Sequence, residues 1–176
     1  MSGLRGDVPM PIPIAQSVKH IHLLDSALKI LIQASLEERK AADPSLNGSK
    51  SFLNEYCTIK MSTARRAGHS HALLNVAMLF ENPMIVTPTR FMLEQLEEVW
   101  HTLWDDSWKR MTNLSRLARF VSAESMARGT ARGIDCDAIL VDCAFGLSTR
   151  QREAVEDQAE AVLSRHLETF CLIYIQ

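Results

Sequence analysis

Little net charge is carried by this 176-residue chain, only −2 at pH 7 with histidine neutral. No basic bias advertises a phosphate-binding surface, so charge gives no indication of DNA. The four cysteines, Cys57, Cys136, Cys143 and Cys171, show no C-x-x-C spacing. Three of them sit inside apolar runs, which suits buried thiols in a reducing, cytoplasmic setting and speaks against a disulfide framework. No run approaches the roughly 20 apolar residues of a membrane-spanning helix, so no membrane is expected as a partner. The N-terminus, M-S-G-L-R-G-D-V-P-M-P-I-P-I, lacks the apolar core of a secretion signal and is rich in proline. Residues 1–14 therefore read as an extended arm. Against these absences stands a hydrophobic content of 47%, enough for a core, and a length that suits one domain over residues 15–176.

Taken in order, apolar residues recur at helical spacing over 15–39. Pro44 and Asn47-Gly48 mark a loop over 43–50. The β-formers Tyr56, Cys57, Thr58 and Ile59 predict a strand over 56–61. A short polar loop follows, and Ser70 is placed to cap a helix that runs to about Phe80. Met84-Ile85-Val86 predicts a second strand, closed by Thr87-Pro88-Thr89. Helical spacing continues over 90–127, with a break near Thr112-Asn113 and a second cap at Ser122. Trp100, Trp104 and Trp108 are four apart, so they share one face: a core or interface stripe before a nucleic-acid stacking face, given Glu97, Glu98, Asp105 and Asp106 around them. A glycine-bearing loop over 128–137 leads to a strand over 138–142, a helix from Ser148 to about Leu167, and a last strand over 169–175. Strands alternating with helices predict a parallel sheet covered on both faces.

The chemistry concentrates where the first strand meets its helix. A strand, a small polar loop and a helix N-terminus can cradle phosphate, because free N–H groups and the positive helix end converge there. The window T-A-R-R-A-G-H-S, residues 63–70, places Gly68 and Ser70 as the pattern G-x-x-x-x-G-K-[ST] requires. Thr63 stands for the first glycine and His69 for the lysine. Further on, four apolar residues end in Asp142, the arrangement that presents a carboxylate to Mg²⁺ beside such a loop.

In their shared order these segments resemble the N-terminal half of the ATPase domain of bacteriophage terminase large subunits, the DNA-packaging motors. The matching pieces are Ala64 to Ser70, Val86-Thr87-Pro88-Thr89, Ala127-Arg128-Gly129, Ala138 to Asp142, and the last strand, over roughly residues 50–176. The resemblance implies a three-layer, P-loop NTPase-like α/β fold with a parallel sheet of about four strands. It places the last strand between the first and third, and the second at the edge beside the third. It further implies weakly held ATP and Mg²⁺, with Arg65, Arg66, Gly68, His69 and Ser70 toward nucleotide and Ser70 and Asp142 toward Mg²⁺. Arg65 takes the position that stabilises transition-state charge, and Cys143 the position of the carboxylate that activates water. Nothing reads as the family's nuclease domain.

Two departures bear on turnover. Neutral imidazole at His69 lacks the permanent charge of an ammonium, and a thiol at Cys143 is a poor base. The expected function is a degenerate, phage-related P-loop protein of the host cytoplasm with weak or no ATP hydrolysis and a binding or regulatory role. The alternatives are an active ATP-driven DNA-packaging motor, and a partner-docking or self-associating module acting through Trp100, Trp104 and Trp108. If the chain is an enzyme, it is an ATPase. A zinc reading stands further back: His20 and His22 do not share a helical face, whereas His69, His71 and Cys143 lie at the same end of neighbouring strands.

Overall fold

A computed structural model describes the backbone of residues 14–63, 68–103 and 118–176, with side chains from residue 21 onward apart from Pro44. Helix α1, Ile14–Lys40, opens the described chain. A short turn at Pro44–Leu46 and a helical turn α2, Lys50–Phe52, capped by the Ser49 side chain, lead into a wider turn at Leu53–Cys57. Then follow β1 (Thr58–Met61), α3 (His69–Ala77), β2 (Pro83–Thr87) and α4 (Arg90–Leu103). After residue 118 come β3 (Arg119–Ser122), α5 (Ala123–Ala127), β4 (Ala138–Val141), α6 (Thr149–Leu163) and β5 (Cys171–Ile175).

The described strands form one parallel sheet in the spatial order β1-β5-β4-β2-β3. The period-two alternation of a strand divides its side chains between two cores. Ile139 and Val141 of β4 and Leu172 and Tyr174 of β5 face Phe52, Met126, Val155 and Val162, beneath α2, α5 and α6. Leu140 of β4 and Cys171, Ile173 and Ile175 of β5 face Leu28, Leu73, Val76 and Leu96, beneath α1, α3 and α4. With both faces covered, β4 and β5 can be apolar throughout, and they are fully buried.

Several expectations need correction. Among the described residues the sheet has five strands, not four. Helical spacing predicts a helix through residues 118–121, yet Arg119–Ser122 pairs with β2, and β2 is therefore an inner strand rather than the edge. The reason is that Phe120 and Val121 find a hydrogen-bonding partner at β2, and Phe120 packs edge-to-face on Trp100 with ring centroids 5.9 Å apart. Tyr56 and Cys57 belong to the wide turn before β1, not to the strand. Gly68, with φ of 77°, occupies the N-cap position before α3, so Ser70 lies within the first turn and is not the cap. Ile14 already opens α1; the rest of the expected arm, residues 1–13, lies outside the described residues, as do Thr112 and Asn113. The Ser122 cap holds, accepting from the Ser125 backbone N–H. Ser148 caps α6, with Gln151 completing the reciprocal capping box. No helix among the described residues is long and apolar enough to cross a membrane.

Candidate functional site at the carboxyl end of the sheet

The site is built where β1 and β4 end, on either side of β5. Backbone bonds fix the floor: Gln176 N–H donates to the Met61 carbonyl at 3.0 Å, and Asp142 N–H donates to the Val86 carbonyl at 2.8 Å. Asp142 thus sits one residue past β4, nearly buried, with its carboxylate facing the first turn of α3. Ser70 Oγ donates to Asp142 Oδ2 at 2.8 Å. His69 Nε2 stands 3.3 Å from Asp142 Oδ1 and 3.6 Å from Cys143 Sγ. Asp142 Oδ1 and His69 Nδ1 are buried and have no hydrogen-bond partner among the described residues.

Cys143 takes a left-handed backbone conformation, φ 53°, alone among the described non-glycine residues. An L side chain in that region costs on the order of 1–2 kcal/mol, and such strain concentrates at functional sites. The turn that follows, Ala144–Gly146, closes with Gly146 N–H donating to the Cys143 carbonyl at 2.9 Å. Burial first, and then the charge and hydrogen bond of Asp142, push the Cys143 thiol up to about 11. As a free side chain it therefore stays protonated at neutral pH and is neither a base nor a strong nucleophile.

Above these residues lies a cleft of about 480 Å³, walled by Ile21 of α1 and by Met92, Leu96 and Val99 of α4. Ile21 is seated against Gly68: a β-carbon there would collide with Ile21 Cγ1 and stand 3.1 Å from Cδ1. An apolar side chain is thus packed directly against the residue that precedes α3.

Of the residues singled out from sequence, Gly68, His69, Ser70, Asp142 and Cys143 meet here. Arg65 and Arg66 lie outside the described residues. His71 lines the cleft but does not join the cluster of His69, Asp142 and Cys143. Trp100 is half-buried against Phe120, and Trp104 and Trp108 lie outside the described residues. Sequence reasoning missed Ile21, whose apolar helical spacing marks it only as a core residue. It also missed Asp137, which accepts hydrogen bonds from the backbone N–H groups of Glu81 at 2.7 Å and Asn82 at 3.0 Å. Set beside known protein families, curated proteins and solved structures, the chain shows no significant match to any of them.

Proposed function

We propose that this chain is a degenerate, terminase-like P-loop protein, phage-related, that holds ATP and Mg²⁺ weakly, hydrolyses ATP slowly or not at all, and serves a binding or regulatory role. The observation that carries the reading is the 2.8 Å hydrogen bond from Ser70 Oγ to Asp142 Oδ2. It joins a hydroxyl in the first turn of α3 to a carboxylate at the end of β4, the two hard oxygen donors that a P-loop protein presents to Mg²⁺. The placement of β5 between β1 and β4 supports the same reading, because it is the neighbourhood that the resemblance implies.

The donor set fits Mg²⁺, which would be held by Ser70 and Asp142 with water and phosphate oxygens completing its shell. Bound there, the ion would neutralise charge on the phosphates. The chain's other residues argue against brisk turnover. On this reading His69 replaces the ammonium that would steady the transferring group, and it faces Asp142. Cys143 keeps its proton. Ile21, packed against Gly68, brings an apolar side chain to the edge of the loop where phosphate would lie.

Wild type and Asp142→Ala, assayed side by side for phosphate release with Mg²⁺ present, are expected to be indistinguishable, since losing one preorganised contact already costs on the order of a hundredfold in rate. Brisk hydrolysis abolished by Asp142→Ala would instead make the chain an active motor. His69→Lys is expected to tighten binding of a fluorescent ATP analogue. Equal affinity in the two forms would mean that the loop is not a phosphate cradle.

A further inference from the structure

The cluster around His69 carries a second possibility that does not depend on nucleotide. We propose that His69 Nε2, Asp142 Oδ1 and Cys143 Sγ form a binding site for a divalent transition-metal ion of the zinc class, with a fourth coordination position open to the cleft.

Two separations within the cluster match the edges of a tetrahedral site. Zinc bonds of about 2.0–2.2 Å to nitrogen and oxygen and about 2.3 Å to sulfur set the edges of the tetrahedron at roughly 3.4 Å for N···O and roughly 3.6 Å for N···S. The corresponding separations here are 3.3 Å for His69 Nε2 to Asp142 Oδ1 and 3.6 Å for His69 Nε2 to Cys143 Sγ. All three ligand atoms lie within 4.8 Å of one another. The ligand set has the softness of a zinc site: imidazole and thiolate select transition metals, whereas Mg²⁺ prefers oxygen alone.

The carboxylate supplies an independent observation. Asp142 is 4% exposed, and its Oδ1 is buried without a hydrogen-bond partner among the described residues. The groups that face it are His69 Nε2 at 3.3 Å and the Cys143 side chain, and a cation bound among the three would take up the buried carboxylate oxygen that Ser70 leaves free. Ser70 meanwhile holds Oδ2 at 2.8 Å, which fixes the carboxylate's orientation and leaves Oδ1 aimed at the other two ligands. Cys143, whose backbone is left-handed, brings Sγ to 3.6 Å from the same imidazole nitrogen. Three protein ligands with one open position is the arrangement of zinc sites that accept water or a ligand, rather than of closed structural ones. Binding releases the thiol proton to solvent as the thiolate forms, so no oxidant or reductant takes part.

The test uses the full chain, stripped of metal and kept reduced, with neither ATP nor Mg²⁺ present, so that its outcome is separate from that of the nucleotide reading. Co²⁺ is expected to give a sulfur-to-cobalt charge-transfer band and tetrahedral d–d bands that saturate at one equivalent. Zn²⁺ should displace it and Mg²⁺ should not. Cys143→Ser should remove the sulfur band and weaken Zn²⁺ by more than about a hundredfold, and His69→Ala should weaken it similarly. A second measurement needs no variant. Cys143 is partly exposed, while Cys57, Cys136 and Cys171 are buried, so one equivalent of Zn²⁺ should protect Cys143 from alkylation, read by mass spectrometry. A cobalt spectrum without the sulfur band, uptake unchanged in both variants, or alkylation of Cys143 unaffected by Zn²⁺ would overturn the proposal.

Discussion

Strand β4 is bracketed by the same two residues in mirror order, Cys136-Asp137 before it and Asp142-Cys143 after it. The two ends do opposite work. Asp137 accepts from two backbone N–H groups in the turn ahead of β2, and its own carbonyl accepts from Cys171 N–H at 3.2 Å. Asp142 spends one oxygen on Ser70 and leaves the other facing His69. Cys136 is sealed in the core, whereas Cys143 borders the cleft. Residue type is the same at the two ends, and both aspartates are buried. What separates a structural aspartate from a poised one is whether its lone pairs are already taken by the backbone.

Replacement of Asp137 by alanine should have the largest effect. It strands two N–H groups that now bond a carboxylate, and a loss of about 3 kcal/mol in urea-denaturation stability is expected. A variant as stable as wild type would erase the distinction between the two ends.

Alkaline pH should sharpen it further. Burial, followed by the charges of Asp137 and Asp135, pushes the Cys136 thiol up to about 12, and burial raises Cys57 to about 11. A group whose pKa is raised on folding contributes stability that is fully present below its unfolded value. That contribution is lost as pH rises through the folded value. For Cys136 the window runs from 9.0 to about 12. Urea midpoints compared at pH about 8 and about 11 should therefore fall, and Cys136→Ala should flatten the fall. An unchanged slope in that variant would show that Cys136 is not sealed as its position implies.

The smallest effect is expected at the poised end. Asp142→Asn keeps an acceptor for Ser70 and removes a buried charge, so its stability should stay within about 1 kcal/mol of wild type, or rise. A loss as large as that of Asp137→Ala would make Asp142 a structural residue too.

Much of the fold was legible in the chain because strands buried on both faces read as apolar runs, and β2, β4 and β5 are such runs. Capping chemistry at Ser122 and Ser148 was legible for the same local reason: a hydroxyl next to free N–H groups has one obvious use. β3 was not, since R-F-V-S has only two strong β-formers and sits in a sequence with helical spacing. Its state is decided by the open edge of β2. Asp137 looked like one more polar residue of a loop, because its partners at Glu81 and Asn82 lie far away in sequence.

The site divides along the same line. By itself the sequence determined that Gly68-His69-Ser70 lies after the first strand, where its helix begins, that an aspartate ends a buried strand, and that a cysteine follows it. It also placed His69 and Cys143 at one end of the sheet, because parallel strands carry their following loops to the same side. Only the tertiary structure decided that Gly68 rather than Ser70 caps α3, that Ile21 lies against it, and that Nε2, Oδ1 and Sγ stand at ligand spacing. Ile21 and Gly68, like His69 and Asp142, lie more than 40 residues apart in sequence and meet only because α1 and β4 both pack near the start of α3. No local pattern of residues encodes them.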